Sequence, residues 1–162
     1  MGVARGTPMP PDPDVGKLVD RNGVLLAEFR RDADGTLKGS YPLGAFAAQV
    51  LHGLDPKVLP KPGEVVYLTL DARVQAAAER ALRKVGRGAA VVLDSKNGDI
   101  LAMASVPSFD PNSPDVAALE GDETEPLLNR AINAYIPGAT YKLVTALAGM
   151  RAGIDDQRFD CN

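Results

Sequence analysis

The sequence predicts an α+β fold, and three observations carry that prediction. Two apolar runs meet at an Asn-Gly pair within Lys17–Ala27; two continuous apolar runs, Ala89 to Leu93 and Ile100 to Ala104, flank a polar turn; and the stretches after Asp71 and after Pro137 carry helical signals. At 162 residues the chain has the length of one average domain and could bury a core. Hydrophobic residues at 45% and charged residues at 24% are ordinary for a globular protein. A net charge of -3, few aromatics and no tryptophan leave neither the basic footprint nor the base-stacking surface of a nucleic-acid partner.

Several chemistries drop out on composition. Cys161 is the only cysteine, so neither an intrachain disulfide nor a four-cysteine metal site is available, and no cofactor is predicted. His52 is the only histidine, it lies in Val50-Leu51-His52-Gly53-Leu54, and no G-x-S-x-G elbow exists to complete a Ser-His-Asp triad. No run approaches 18 apolar residues, so no spanning helix is expected. The proline-rich start lacks the apolar core of a signal peptide, and Gly6 breaks the myristoylation pattern.

Taken in order, residues 1–16 contain a Pro-rich run that can make neither helix nor central strand, and they read as a mobile tail or linker. Lys17 to Ala27 reads as two short strands about Asn22-Gly23, whose residue types favour positive φ. Asp32 to Thr36 is a turn, followed by Tyr41-Pro42-Leu43-Gly44. Three prolines between Asp55 and Gly63 predict a loop, with a boundary near Pro62. Val65 to Leu70 is β-rich and ends at Asp71, a natural cap for a helix with apolar positions at Val74, Ala77, Ala78, Ala81, Leu82 and Val85. Arg83 and Lys84 suit its negative end, and Gly86 stops it.

The Ala89–Leu93 and Ile100–Ala104 runs should form a hairpin buried on both faces. Its turn holds Ser95-Lys96-Asn97. Val106 to Asn112 is a loop held by prolines, and Ser113 to Glu125 is acidic and solvated. Pro137 then suits a first helical turn and Gly153 the residue just past a helix end. Between them Leu143, Val144, Ala146, Leu147, Ala148 and Met150 leave hardly any polar face, which predicts a helix enclosed on most sides. Lys142 must then snorkel to water or be held partly desolvated.

The segment P-G-A-T-Y-K-L-V-T-A-L from Pro137 to Leu147 resembles the P-G-S-T-F-K-x-x-T-A-L segment of penicillin-binding transpeptidases. Their signature is S-x-x-K, followed by an S-D-N-like triplet and K-T-G. Further matches in order and spacing are Gly88 to Asp94, Gly98 to Ser105, Pro107-Ser108-Phe109-Asp110-Pro111-Asn112 and Asn129-Arg130-Ala131; T-L-D-x-x-V-Q at Thr69–Gln75 and D-R-N-G-x-x-L-A at Asp20–Ala27 also fit. The likeness is strong over 65–162 and fainter over 18–27, and since a similar Y-P-L-G leads into a short helix in the family, the resemblance also implies a short helix from Ala45 to Leu51.

The resemblance implies the serine β-lactamase and transpeptidase fold, an antiparallel sheet between helices, represented here by its first part. It divides the chain into a tail at 1–16, part of a small β-rich non-catalytic module at 17–64 and the start of a transpeptidase domain at 65–162. Ala139 occupies the nucleophile position, where the chemistry needs a hydroxyl, and Lys142 inherits the role of assisting proton transfer. Ser95-Lys96-Asn97 precedes the candidate helix and is therefore not the family's second motif. In the family that motif and K-T-G follow the position where this sequence stops, so the hairpin is expected to lack a strand neighbour on one side.

The implied partners are peptidoglycan stem peptides, β-lactams and other wall-synthesis proteins. The implied place is the outer face of the bacterial cytoplasmic membrane, although the membrane anchor usual in the family is not found ahead of Asp20. Three readings fit an alanine at 139: an inactive relative of a D,D-transpeptidase, a non-catalytic scaffold of a wall-synthesis complex, and a serine-to-alanine change that silences the nucleophile.

Overall fold

A computed structural model describes residues 9–113, 115–154 and 156–158. Gly6 and Cys161, singled out in the sequence, and the first eight residues of the expected tail lie outside them. The chain divides into two compact units, Met1–Ile132 and Asn133–Asn162.

The first unit opens with a four-stranded sheet. Strands β1 (Gly16–Val19), β2 (Leu25–Arg31), β3 (Leu37–Ser40) and β4 (Val65–Tyr67) run in the order β3-β2-β1-β4, with β1 antiparallel to β2 and parallel to β4. The hairpin expected at Asn22-Gly23 is present, but only Gly23 of the pair has positive φ, at 89°. The Asp20 amide donates to Val24 O at 2.8 Å, so Arg21, Asn22 and Gly23 make a three-residue turn with glycine in the left-handed position. Strand β3 carries no alternating apolar pattern, which hid it from sequence reading. It forms because the turn at Asp32–Thr36, closed by Asp32 N to Thr36 O at 2.9 Å, returns the chain along β2.

Leu18, Leu26, Ala27 and Phe29 build the core with Tyr41, Ala47, Leu51 and Leu70, and the Phe29 and Tyr41 rings meet edge to face at 6.3 Å. Helix α1 (Ala48–Leu51) begins three residues later than expected, because Ala47 stands at φ 49° and cannot continue a helix backward. Its amide is satisfied by Glu79 Oε1 at 2.8 Å. Within residues 9–15, the Met9 amide donates to Tyr67 Oη at 3.2 Å, Asp12 O accepts from the Gly63 amide at 3.0 Å, and Val15 is buried.

Helix α2 (Ala72–Arg83) packs against β5 (Gly88–Leu93) and β6 (Ile100–Val106), an antiparallel pair. Asp71 caps α2 as expected, its carboxylate accepting from the Arg73 amide at 3.0 Å. The hairpin is not buried on both faces. Gly88, Ala90 and Val92 are half-buried whereas Ala89, Val91 and Leu93 are exposed. The reason is coverage: α2 closes one face, while on the other the 124–130 loop reaches β6 at Met103 and Ser105 and leaves the outward residues of β5 open. Among the described residues no strand pairs with the outer edge of β5. The corresponding edge of β6 is occupied by Thr69, Asp71 and Gln75, which bond to Ile100 O, Leu101 O and both backbone groups of Met103.

In the acidic stretch a short 3-10 helix spans Val116–Gly121, and Glu120 to Glu123 are exposed as predicted. The second unit contains a 3-10 turn at Gly138–Tyr141 and helix α3 (Lys142–Ala152).

Candidate active-site segment

The segment singled out by sequence opens on Pro137 at φ -69° and Gly138 at φ 52°. The second angle explains the glycine: a side chain there would carry the cost of left-handed backbone. The Thr140 amide and hydroxyl both donate to Pro137 O, closing the turn, and the Lys142 amide donates to Ala139 O and Thr140 O. Lys142 is thus the first residue of α3, and Ala139 lies one 3-10 turn before it. In such a turn side chains three apart are eclipsed, so a hydroxyl at 139 would leave the backbone on the same side as the lysine.

The far end of α3 is as predicted. Gly153 takes φ 67°, and paired bonds from Gly153 N to Met150 O at 3.2 Å and Ile154 N to Gly149 O at 3.1 Å finish the helix in a glycine-based C-cap.

The expected enclosure is not observed. No residue of α3 is buried, and Leu143 is 78% exposed. Apolar composition predicted burial, but burial needs facing layers, and this unit by itself consists of one turn and one helix. Lys142 and Ala139 are likewise exposed, so of the two expected alternatives for the lysine the partly desolvated one is not observed.

The other candidates are placed away from this segment in the chain. His52 ends α1, exposed, with its ring edge-on to Phe109 at 5.4 Å. Ser95-Lys96-Asn97 forms the β5–β6 turn, where the Lys96 amide donates to Asp94 Oδ1 at 2.9 Å and the Asp99 amide to Asn97 Oδ1 at 3.0 Å. Among the described residues no group of His, Cys, Asp and Glu is placed to hold a metal, and no helix is long and apolar enough to cross a membrane.

Sequence reading missed the buried polar side chains that organise the first unit. Asp20, fully buried, accepts from the Asn22 amide and the Val24 amide at 2.8 Å each, from Asn22 Nδ2 at 3.2 Å and from the Ala72 amide at 2.9 Å. Gln75, also fully buried, accepts from the Met103 amide at 2.8 Å and donates to Met103 O at 3.1 Å and Glu79 Oε1 at 2.9 Å. The guanidinium of Arg130 donates to Thr124 O at 2.7 Å and Glu125 O at 2.9 Å, while its amide donates to Ser105 Oγ at 3.1 Å. The available signal for Gln75 was its spacing, four residues after the cap Asp71 and four before Glu79, on the face α2 turns inward. The Arg73 side chain, bonded to Asp71, holds that carboxyl well below the usual carboxylate range against the opposing effect of burial, with Asn22 assisting.

Comparison with known proteins gives a consistent result. The family described as the penicillin binding protein transpeptidase domain matches residues 88–162. Peptidoglycan D,D-transpeptidase PbpA of Mycolicibacterium smegmatis is 38% identical over 152 residues, covering 83% of this chain and 30% of that protein. Peptidoglycan D,D-transpeptidase MrdA of Escherichia coli K12 is 40% identical over 106 residues, covering 60% of this chain and 17% of its own length. The chain therefore spans less than a third of these curated relatives.

Among solved structures, PBPA from Mycobacterium tuberculosis superposes with a TM-score of 0.72 at 28% identity over 88% of this chain and 43% of that one. The D,D-transpeptidase domain of a peptidoglycan glycosyltransferase from Eggerthella lenta gives 0.68 at 31% identity, over 93% and 38%. A penicillin G acyl-enzyme complex of the M. tuberculosis penicillin-binding protein A gives 0.67 at 27% identity, over 88% and 43%.

Proposed function

We propose, from the premise that this chain belongs to the penicillin-binding transpeptidase family, that it is part of a peptidoglycan D,D-transpeptidase in which the nucleophile is absent. Its α+β fold is that of the first part of the transpeptidase domain, preceded by a small β-rich sheet. The division at 17–64 and 65–162 belongs to the same proposal.

In the reaction such proteins carry out, a serine oxygen attacks the carbonyl of the terminal D-alanyl-D-alanine bond. The lysine three residues on assists removal of the serine proton, D-alanine leaves with a proton on its amine, and a neighbouring stem's amine takes the acyl group. A β-lactam carbonyl is opened by the same oxygen and stays attached. The observation that carries the reading is the placement of Ala139 one turn before Lys142 behind the left-handed Gly138. The left-handed Gly138, the 3-10 turn and the start of α3 at Lys142 support reading 139 as the place of a serine whose oxygen this sequence lacks. Thr140 is no substitute, since its hydroxyl is committed to Pro137 O and the next helical position points about 100° away.

The expected consequence is loss of acyl transfer and of covalent β-lactam capture, an effect on the order of 10⁶ in rate for a missing nucleophile in a related covalent mechanism. The place of action is the outer face of the bacterial cytoplasmic membrane, and stem peptides and β-lactams are the ligands. Labelling with a fluorescent penicillin tests this in a polypeptide extended to the length of the relatives. The Ala139→Ser form should label, and failure of that form to label would count against the reading.

A second reading, a non-catalytic scaffold for other wall-synthesis proteins, draws on the compactness of Met1–Ile132 as a unit of its own. Retention of a known wall-synthesis enzyme by the full chain in a defined two-protein mixture supports it, and passage of that enzyme through the column unretained overturns it.

A further inference from the structure

Asp20, Asn22, Asp71 and Gln75 follow one another across the first unit, from the β1–β2 turn to the edge of β6. At one end is the hairpin turn, where Asp20 binds the amides of Asn22 and Val24. The same carboxylate accepts from the Ala72 amide, the first of α2 and 52 positions away in sequence, and Asn22 Nδ2 reaches Asp71 Oδ2 at 3.1 Å. The first turn of a helix leaves amides without intrahelical partners. In α2 one is met by its own cap, Asp71, and another by a turn of a different sheet.

Asp71 continues the line: its amide donates to Leu101 O of β6 at 2.9 Å. One helical turn further, Gln75 satisfies both backbone groups of Met103 and so stands where a neighbouring strand would. Asp20, Asp71 and Gln75 are buried and Asn22 is half-buried, and among the described residues no buried side-chain polar atom lacks a partner. Releasing one group therefore strands the next in a dry environment, where an unpaired polar group is costly.

We infer that the β1–β2 turn and the β5–β6 sheet are energetically coupled through α2, with Asp20 and Asn22 as the clamp at one end and Gln75 as the clamp at the other. A change that loosens the hairpin turn loosens the guarded edge of β6. Linkage requires the reverse to hold equally. The N-terminal sheet is then a handle on the sheet that precedes the candidate active-site segment, independently of whether residue 139 can react.

Amide hydrogen exchange on the full chain, resolved by residue, tests the coupling. Asp20→Asn should speed exchange at Ala72 and also at Met103 by roughly tenfold, the size of one lost net hydrogen bond. Gln75→Ala should speed exchange at Asn22 and Val24 by a similar factor, and amides of the β2–β3 ladder such as Arg31 should hold their rates in both. If Asp20→Asn does not fold, Asn22→Ala, which removes only the bonds of one part-buried amide, should give the same pattern at smaller size. Acceleration confined to residues 20–24, or spread uniformly over the chain, overturns the inference.

Discussion

The two units of this chain treat polar and apolar groups in opposite ways. In residues 9–132 carboxylates, amides and a guanidinium are buried and fully bonded, as at Asp20, Gln75 and Arg130. In the unit that begins at Asn133 the apolar residues Leu143, Val144, Leu147 and Met150 are exposed along α3. The first arrangement specifies one structure, because each buried polar group has only one set of partners. The second is a helix held by its own backbone and caps, and such helices are marginal at this length. The segment with the strongest sequence signature is thus, among the described residues of this chain, the one with the least packing.

Substitutions sharpen that contrast. The largest effect is expected at Leu26→Ala, where loss of a fully buried side chain should cost about 2–5 kcal/mol in urea denaturation. Asp20→Ala follows, at roughly 3 kcal/mol, because it leaves part-buried amides of two elements without an acceptor. Acid should act on the same unit. Since the Asp71 carboxyl is held below its ordinary range in the folded state, its stabilising contribution is complete above an unfolded-state value of about 3.9 and fades as pH falls below it. Asp71→Asn should flatten the loss of stability seen by circular dichroism below about pH 4.

The smallest effect is expected on α3, where Leu147→Lys should shift the midpoint by no more than about 0.5 kcal/mol. A cost of several kcal/mol there would show that the helix is packed and would break the comparison.

Legibility in the sequence followed the same divide, with a twist. Local chemistry was readable wherever backbone geometry decides it. Gly153 capped α3, Asp71 capped α2, and the Asn22-Gly23 pair marked a turn. Long-range partnership was not readable. β3 has no apolar pattern and exists through pairing with β2, and β4 joins β1 in parallel across the proline-rich loop that the sequence marks as a boundary. Burial was misjudged at both the β5–β6 hairpin and α3 for one reason: apolar residues state what should be covered, and only neighbouring elements decide whether it is. The roles proposed for Ala139 and Lys142 rest on resemblance alone, since an alanine and a lysine three apart carry no chemistry of their own.

The most direct test of the account is the intact mass of the 162-residue chain after incubation with excess benzylpenicillin. With alanine at 139 the mass should be unchanged at every time point. A stable gain of one penicilloyl group, mapped by digestion to the 137–145 segment, would contradict the assignment of Ala139 as a vacant nucleophile position.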